Sequence, residues 1–184
     1  MRLKLIILLY VLLPLQLFSQ GVSEMHSAFS TIPGDNVLRF YRLAIPVTKS
    51  AYEEDLDSDY SNVLAFWREC EEFVNNLYVP LGFCFDVIED EKLVLHEFGM
   101  IDENVYNAPS FGTELLNELI SSTVYDIGMW VTHRDDYEEN SGLSIENGAY
   151  LNSTKASGYA KTDKWVVAHE IGHLLGADHT PPGE

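Results

Sequence analysis

Apolar and polar positions along the chain fall into a few periodic segments. Val37 to Thr48 (VLRFYRLAIPVT) is rich in β-branched and aromatic residues and reads as a strand. From Ser61 to Leu77 the period changes: Val63, Trp67, Cys70, Val74 and Leu77 recur every three or four residues, which places them on one helical face. Pro80 and Gly82 then stop the helix. Phe83 to Ile88 reads as a second strand, continued or paired through Leu93 to Leu95, and residues 96–112 as irregular chain. Thr113 to Ser121 predicts a second helix and Tyr125 to Thr132 (YDIGMWVT) a third strand, followed by an acidic loop over His133 to Ser141. Two short extended pieces come next, around Gly142–Leu151 and Ala156–Ala160, and a third helix runs from about Asp163 to Leu175. The order β-α-β-α-β-β-β-α predicts an α/β (α+β) domain over residues 37–184, a mixed five-stranded sheet covered by helices.

The N-terminal segment has a different character. Arg2 and Lys4 precede an apolar stretch from Leu5 to Phe18, and the small or polar Ser19, Gln20 and Gly21 follow. This is the pattern of a secretory signal peptide over residues 1–20, so the expected location is extracellular or periplasmic. The apolar stretch, broken by Pro14 and Gln16, is short for a membrane span. Residues 21–36 carry turn residues without a period and read as an exposed leader. Of 184 residues, 29 are acidic and 11 basic, for a formal charge of −18. That sign disfavours nucleic acid and anionic membrane surfaces as partners and favours a well-solvated monomer. Cys70 and Cys84 are the two cysteines; an oxidising compartment allows them to pair, and burial as small hydrophobic groups is the other reading. Asn152-Ser153-Thr154 forms an acceptor pattern for glycosylation in a eukaryotic secretory pathway.

Two clusters suggest metal chemistry, and one fails. Asp55, Asp57 and Asp59 have the spacing that begins a calcium loop, but Tyr60 stands where the turn glycine belongs and Phe66 where the bidentate acid belongs. Residues 52–60 therefore read as a solvated loop leading into a helix. The third helix carries the other cluster, His169-Glu170-Ile171-Gly172-His173-Leu174-Leu175-Gly176-Ala177-Asp178-His179. Residues four apart share a helical face, so His169 and His173 point the same way, as two imidazoles binding one metal ion must. Glu170, one position along, is placed to act as a general base rather than a ligand. Gly176 can adopt a left-handed conformation, end the helix and turn the chain so that His179 supplies a third ligand. Three neutral imidazoles leave a fourth position open, the arrangement of a catalytic zinc site. His26, His96 and His133 have no partner spacing and read as ordinary surface or loop residues.

HEIGHLLGADH resembles the HExxHxxGxxH consensus of the metzincin metallopeptidases. The preceding segments, from about Val37 to Thr180, resemble the reprolysin (adamalysin-like) branch, particularly its secreted bacterial members. The resemblance implies an upper subdomain built on a twisted mixed sheet, with the zinc helix at its C-terminal end. It implies one catalytic Zn2+ held by His169, His173 and His179, and Glu170 as general base and acid in peptide-bond hydrolysis. YDIGMWVT resembles the strand ahead of the substrate-binding edge, so Gly142–Leu151 is expected to pair with an extended protein or peptide substrate. Ala156–Ala160 is the alternative outer strand. Several features depart from the family pattern. The sequence ends at Glu184, five residues past His179, and Met1, Met25, Met100 and Met129 all lie upstream. No methionine turn or lower subdomain follows within the given residues, so the chain is expected to be C-terminally truncated relative to the family. The short stretch after the signal peptide leaves no room for a propeptide. Thr180 stands where reprolysins usually have Asp. The alternative expectation is a catalytically silent zinc-binding fragment acting as a binding module.

Overall fold

The computed structural model describes residues 37–133 and 141–179. The expected signal peptide, the leader and most of the acidic loop after His133 lie outside the described residues. The described residues divide into two compact units, one of residues 37–39 together with Leu77–Cys84, the other of Phe40–Asn76 and the described residues from Phe85. In the smaller unit a single 3-10 turn spans Val79–Leu81 with Pro80 at its start. Gly82 follows at φ 92°, and its carbonyl accepts the Arg39 N–H at 2.8 Å.

Among the described residues six strands form two three-stranded sheets. β1 (Arg39–Ala44), β2 (Phe83–Val87) and β3 (Ile127–Gly128) make the first, in the order β2-β1-β3 with β1 parallel to β3. β4 (Trp130–Thr132), β5 (Gly142–Ser144) and β6 (Gly158–Lys161) make the second, in the order β4-β6-β5. There β4 runs parallel to β6 and β5 antiparallel to it. The α/β class agrees with the sequence, while the five strands expected in one sheet are six in two. Pro46 explains the division: it has no N–H to give a ladder, so β1 stops at Ala44 rather than Thr48. Opposite it the segment read as one strand splits at Met129, whose N–H bonds Ala44 O, while Val131 N–H reaches Pro46 O (each 2.9 Å).

Four helices complete the described chain: α1 (Tyr60–Tyr78), α2 (Met100–Glu103), α3 (Asn107–Leu119) and α4 (Lys164–Leu174). α1 buries Val63, Trp67, Cys70 and Val74 of the predicted stripe but leaves its last member, Leu77, exposed, and Trp67 Nε1 donates to Ile45 O at 2.9 Å. The same helix satisfies backbone of β2: Val87 N–H donates to Glu71 Oε2 and Phe85 N–H to Asn75 Oδ1, both at 2.8 Å. Residues 96–112 are more ordered than the sequence pattern suggests. α3 starts at Asn107 rather than Thr113, because Pro109 falls in the first turn, where a backbone N–H has no helical acceptor to lose. The expected acidic loop contains a π-helical turn over Ala51–Asp55. Leu93 closes a short 3-10 turn, and Val94 makes a single parallel bridge to Val47 instead of extending β2. No disulfide joins Cys70 and Cys84, and burial pushes the Cys70 thiol well up.

Candidate metal centre and active-site groove

α4 is set by its two ends. At the start the Asp163 carboxylate accepts the Trp165 N–H at 2.8 Å, an N-cap that satisfies one of the free donors of the first turn. At the end Gly176 lies at φ 96°. The Gly176 N–H bonds His173 O at 2.8 Å and the Ala177 N–H bonds Gly172 O at 2.9 Å. These two bonds, closed through a left-handed glycine, are a Schellman stop. A Cβ at Gly176 would also lie 2.4 Å from Asn147 Oδ1, so the position requires glycine for space as well as conformation. The chain reverses there and returns His179 to the helix face.

The reversal brings all three predicted imidazoles together. Their Nε2 atoms form a nearly regular triangle, 3.0 Å between His169 and His173 and 3.1 Å from each to His179. Among the described residues they are the group of His, Cys, Asp and Glu side chains able to share one ion. His173 Nδ1 donates to the Ala177 carbonyl at 2.7 Å, so in the neutral ring Nε2 carries the lone pair. His169 is held below the usual histidine pKa by burial first and by the neighbouring His173 and His179 second, which favours its neutral, ligating form. Lone pairs converging in this way repel one another unless a cation lies among them. The triangle's edges are close to the edge of about 3.3–3.4 Å expected for tetrahedral zinc with Zn–N of about 2.0–2.1 Å. The donor set therefore fits Zn2+.

Glu170 sits beside this triangle and is 4% exposed. Its Oε2 has no hydrogen-bond partner among the described residues. Burial raises its pKa, opposed in part by the Ser144 hydroxyl and by His173 and His179. Ser144 lies against the carboxylate without completing a regular hydrogen bond, since its Oγ is unpartnered as well. Gly142 makes room for the acid: a Cβ there would come within 2.7 Å of Glu170 Cγ. β6 lies between β4 and β5, so of the two segments considered from sequence the one beginning at Gly142 is at an edge of the sheet. A surface groove over the site is lined by Gly142 together with Trp165, Val166 and His169 of α4. Trp165 is exposed and packs edge-on against Phe73, with ring centroids 4.4 Å apart.

Sequence reasoning misses some supporting residues. His133, read as an ordinary loop histidine, pairs through Nδ1 with Asp55 Oδ1 at 2.9 Å, and Asp55 Oδ2 accepts the Thr162 hydroxyl at 2.6 Å. This joins the end of β4 to the residue two before α4 begins. No spacing signal links positions 55, 133 and 162. The Asp55 carboxylate is thus a structural hydrogen-bond acceptor within a region read as solvated loop.

Residues 100–180 match the family model of the M12B reprolysin-like metallopeptidases. The match covers α2, α3, the strands from β3 onward, the whole of α4 with His169 and His173, and His179 beyond its end. It supports a place in the metzincin and reprolysin group, whose M12B members are zinc-dependent peptidases. None of the curated proteins compared with the chain matches it.

Proposed function

We propose that the chain is a secreted zinc metalloendopeptidase acting on extended protein or peptide substrates. His169, His173 and His179 hold one zinc ion and Glu170 is the general base. The observation that carries this reading is the triangle of Nε2 atoms with a buried carboxylate beside it whose Oε2 is unpartnered, at a groove. Secretion rests on the N-terminal pattern of Arg2, Lys4 and the apolar stretch to Phe18.

His169, His173 and His179 would hold a zinc ion, which when bound would supply Lewis-acid polarisation of the scissile carbonyl and a water of pKa about 7. Glu170 accepts a proton at a carboxylate oxygen as the water oxygen attacks the carbonyl carbon. It returns that proton to the amine nitrogen when the C–N bond breaks. Burial makes the carboxylate a stronger base than an exposed one and moves its pKa towards the working pH. The outer position of β5 suits an extended substrate that adds a strand to the sheet and presents its backbone to the groove.

The test is cleavage of an unstructured protein such as casein by the purified chain. Cleavage that stops with a chelator and returns with zinc supports the peptidase. A chain that binds zinc and never cleaves establishes the alternative, a silent zinc-binding domain.

A further inference from the structure

The reversal that carries His179 has little packing of its own, since Ala177, Asp178 and His179 are all exposed. It is held instead by the segment that follows β5. Asn147 N–H donates to His173 O at 3.0 Å, sharing that carbonyl with Gly176 N–H. Tyr150 Oη–H donates to Leu175 O at 3.2 Å. Between these two contacts, a Cβ on Gly148 would lie 2.8 Å from Leu174 Cδ2, so the turn and the helix end are in close contact. Asn147 is itself left-handed at φ 60°, and its Oδ1 fills the space beside Gly176. Each of the four residues from His173 to Gly176 thus meets a residue of the Asn147–Tyr150 turn.

We propose that this turn is a positioning brace for the metal centre. Its residues touch none of the ligand nitrogens. By holding the helix stop it sets where the chain reverses, and so where the His179 imidazole stands relative to His169 and His173. The inference rests on reading those three imidazoles as the zinc ligands. The braced segment runs back through Ile145, whose N–H bonds Ser157 O at 3.0 Å, into β5 and the groove. The position of the third ligand and that of the outer strand are therefore set by one stretch of chain.

The experiment compares zinc affinity, by competition with a chelator, with the melting temperature of the zinc-free protein. Tyr150→Phe removes only the hydroxyl donor and is expected to weaken zinc binding about three- to tenfold, the worth of one neutral hydrogen bond. Gly148→Ala pushes the turn off Leu174 and is expected to weaken it about tenfold or more, as losses around metal ligands do. Ser153→Ala, an exposed residue beyond the turn, should bind as wild type does. Zinc-free Tyr150→Phe should melt with the wild type. Wild-type affinity in both brace variants overturns the proposal. So does a zinc-free melting point for Tyr150→Phe that falls as far as the zinc-loaded one, because the contact is then merely structural. A wild-type chain that binds no zinc overturns the ligand reading itself, an outcome distinct from the other two.

Discussion

His173 Nδ1 lies 2.7 Å from the carbonyl oxygen of Ala177, four residues further on. One bond thus fixes the tautomer of a proposed ligand and ties the helix to the segment that returns the third histidine. It exists only because Gly176 turns the chain at φ 96°. Gly176→Ala must adopt that left-handed angle, at about 1–2 kcal/mol, and place a methyl against Asn147 Oδ1. We expect a lower melting temperature and zinc binding weakened at least about tenfold. Thermal melts and chelator competition on the same preparation check both.

Gly142→Ala addresses the base rather than the ligands. The added Cβ would stand 2.7 Å from Glu170 Cγ and 2.9 Å from Tyr159 O, so the carboxylate must move. Displacing a catalytic group by about 1 Å can cost up to about 100-fold in turnover. The expected result is kcat reduced about 10- to 100-fold with one zinc still bound per chain, read from steady-state kinetics beside metal analysis.

How much of this is readable in the sequence follows from where the chemistry is written. The proposed ligands and base occupy eleven consecutive residues, and the helix period with one glycine turns their spacing into geometry. The stripe of Val63, Trp67, Cys70 and Val74 is readable for the same reason. The support is not. Gly142 and the Asn147–Tyr150 turn reach α4 only through the antiparallel pairing of β5 with β6, and no local pattern encodes that register. The Asp55–His133 pair joins residues 78 positions apart. Pro46 and Pro109 each shift a boundary, one by ending a ladder and the other by fitting the first turn of a helix.

Away from the site, Arg42 and Asp126 form a forked pair, with Nη2 to Oδ1 at 2.8 Å and Nε to Oδ2 at 3.0 Å. The Arg42 hydrogen bonds hold the Asp126 carboxyl below the usual carboxylate range. A lowered folded-state pKa contributes stability that is present above the unfolded value, about 3.9, and is lost as pH falls through the folded one. Asp126→Asn should therefore melt below the wild type at neutral pH, and the gap should close on acidification below about 4. A gap that stays constant across a pH series of melts contradicts the pairing.

Zinc should stabilise the fold by linkage. With free zinc at 100 times the dissociation constant, the gain is about 2.7 kcal/mol. His179→Ala removes one of the three proposed ligands, so its affinity should fall by more than the roughly 100-fold limit of losses around the ligands. Its melting temperature should then hardly respond to zinc. Scanning both proteins over a zinc titration gives the comparison.

The most direct test of the account is Glu170→Gln, which keeps the shape of the side chain and removes the base. We predict one zinc bound per chain with near wild-type affinity and no detectable cleavage of an unstructured substrate that the wild type cleaves. Cleavage by Glu170→Gln at the wild-type rate would contradict the assignment of Glu170 as the group that takes the proton.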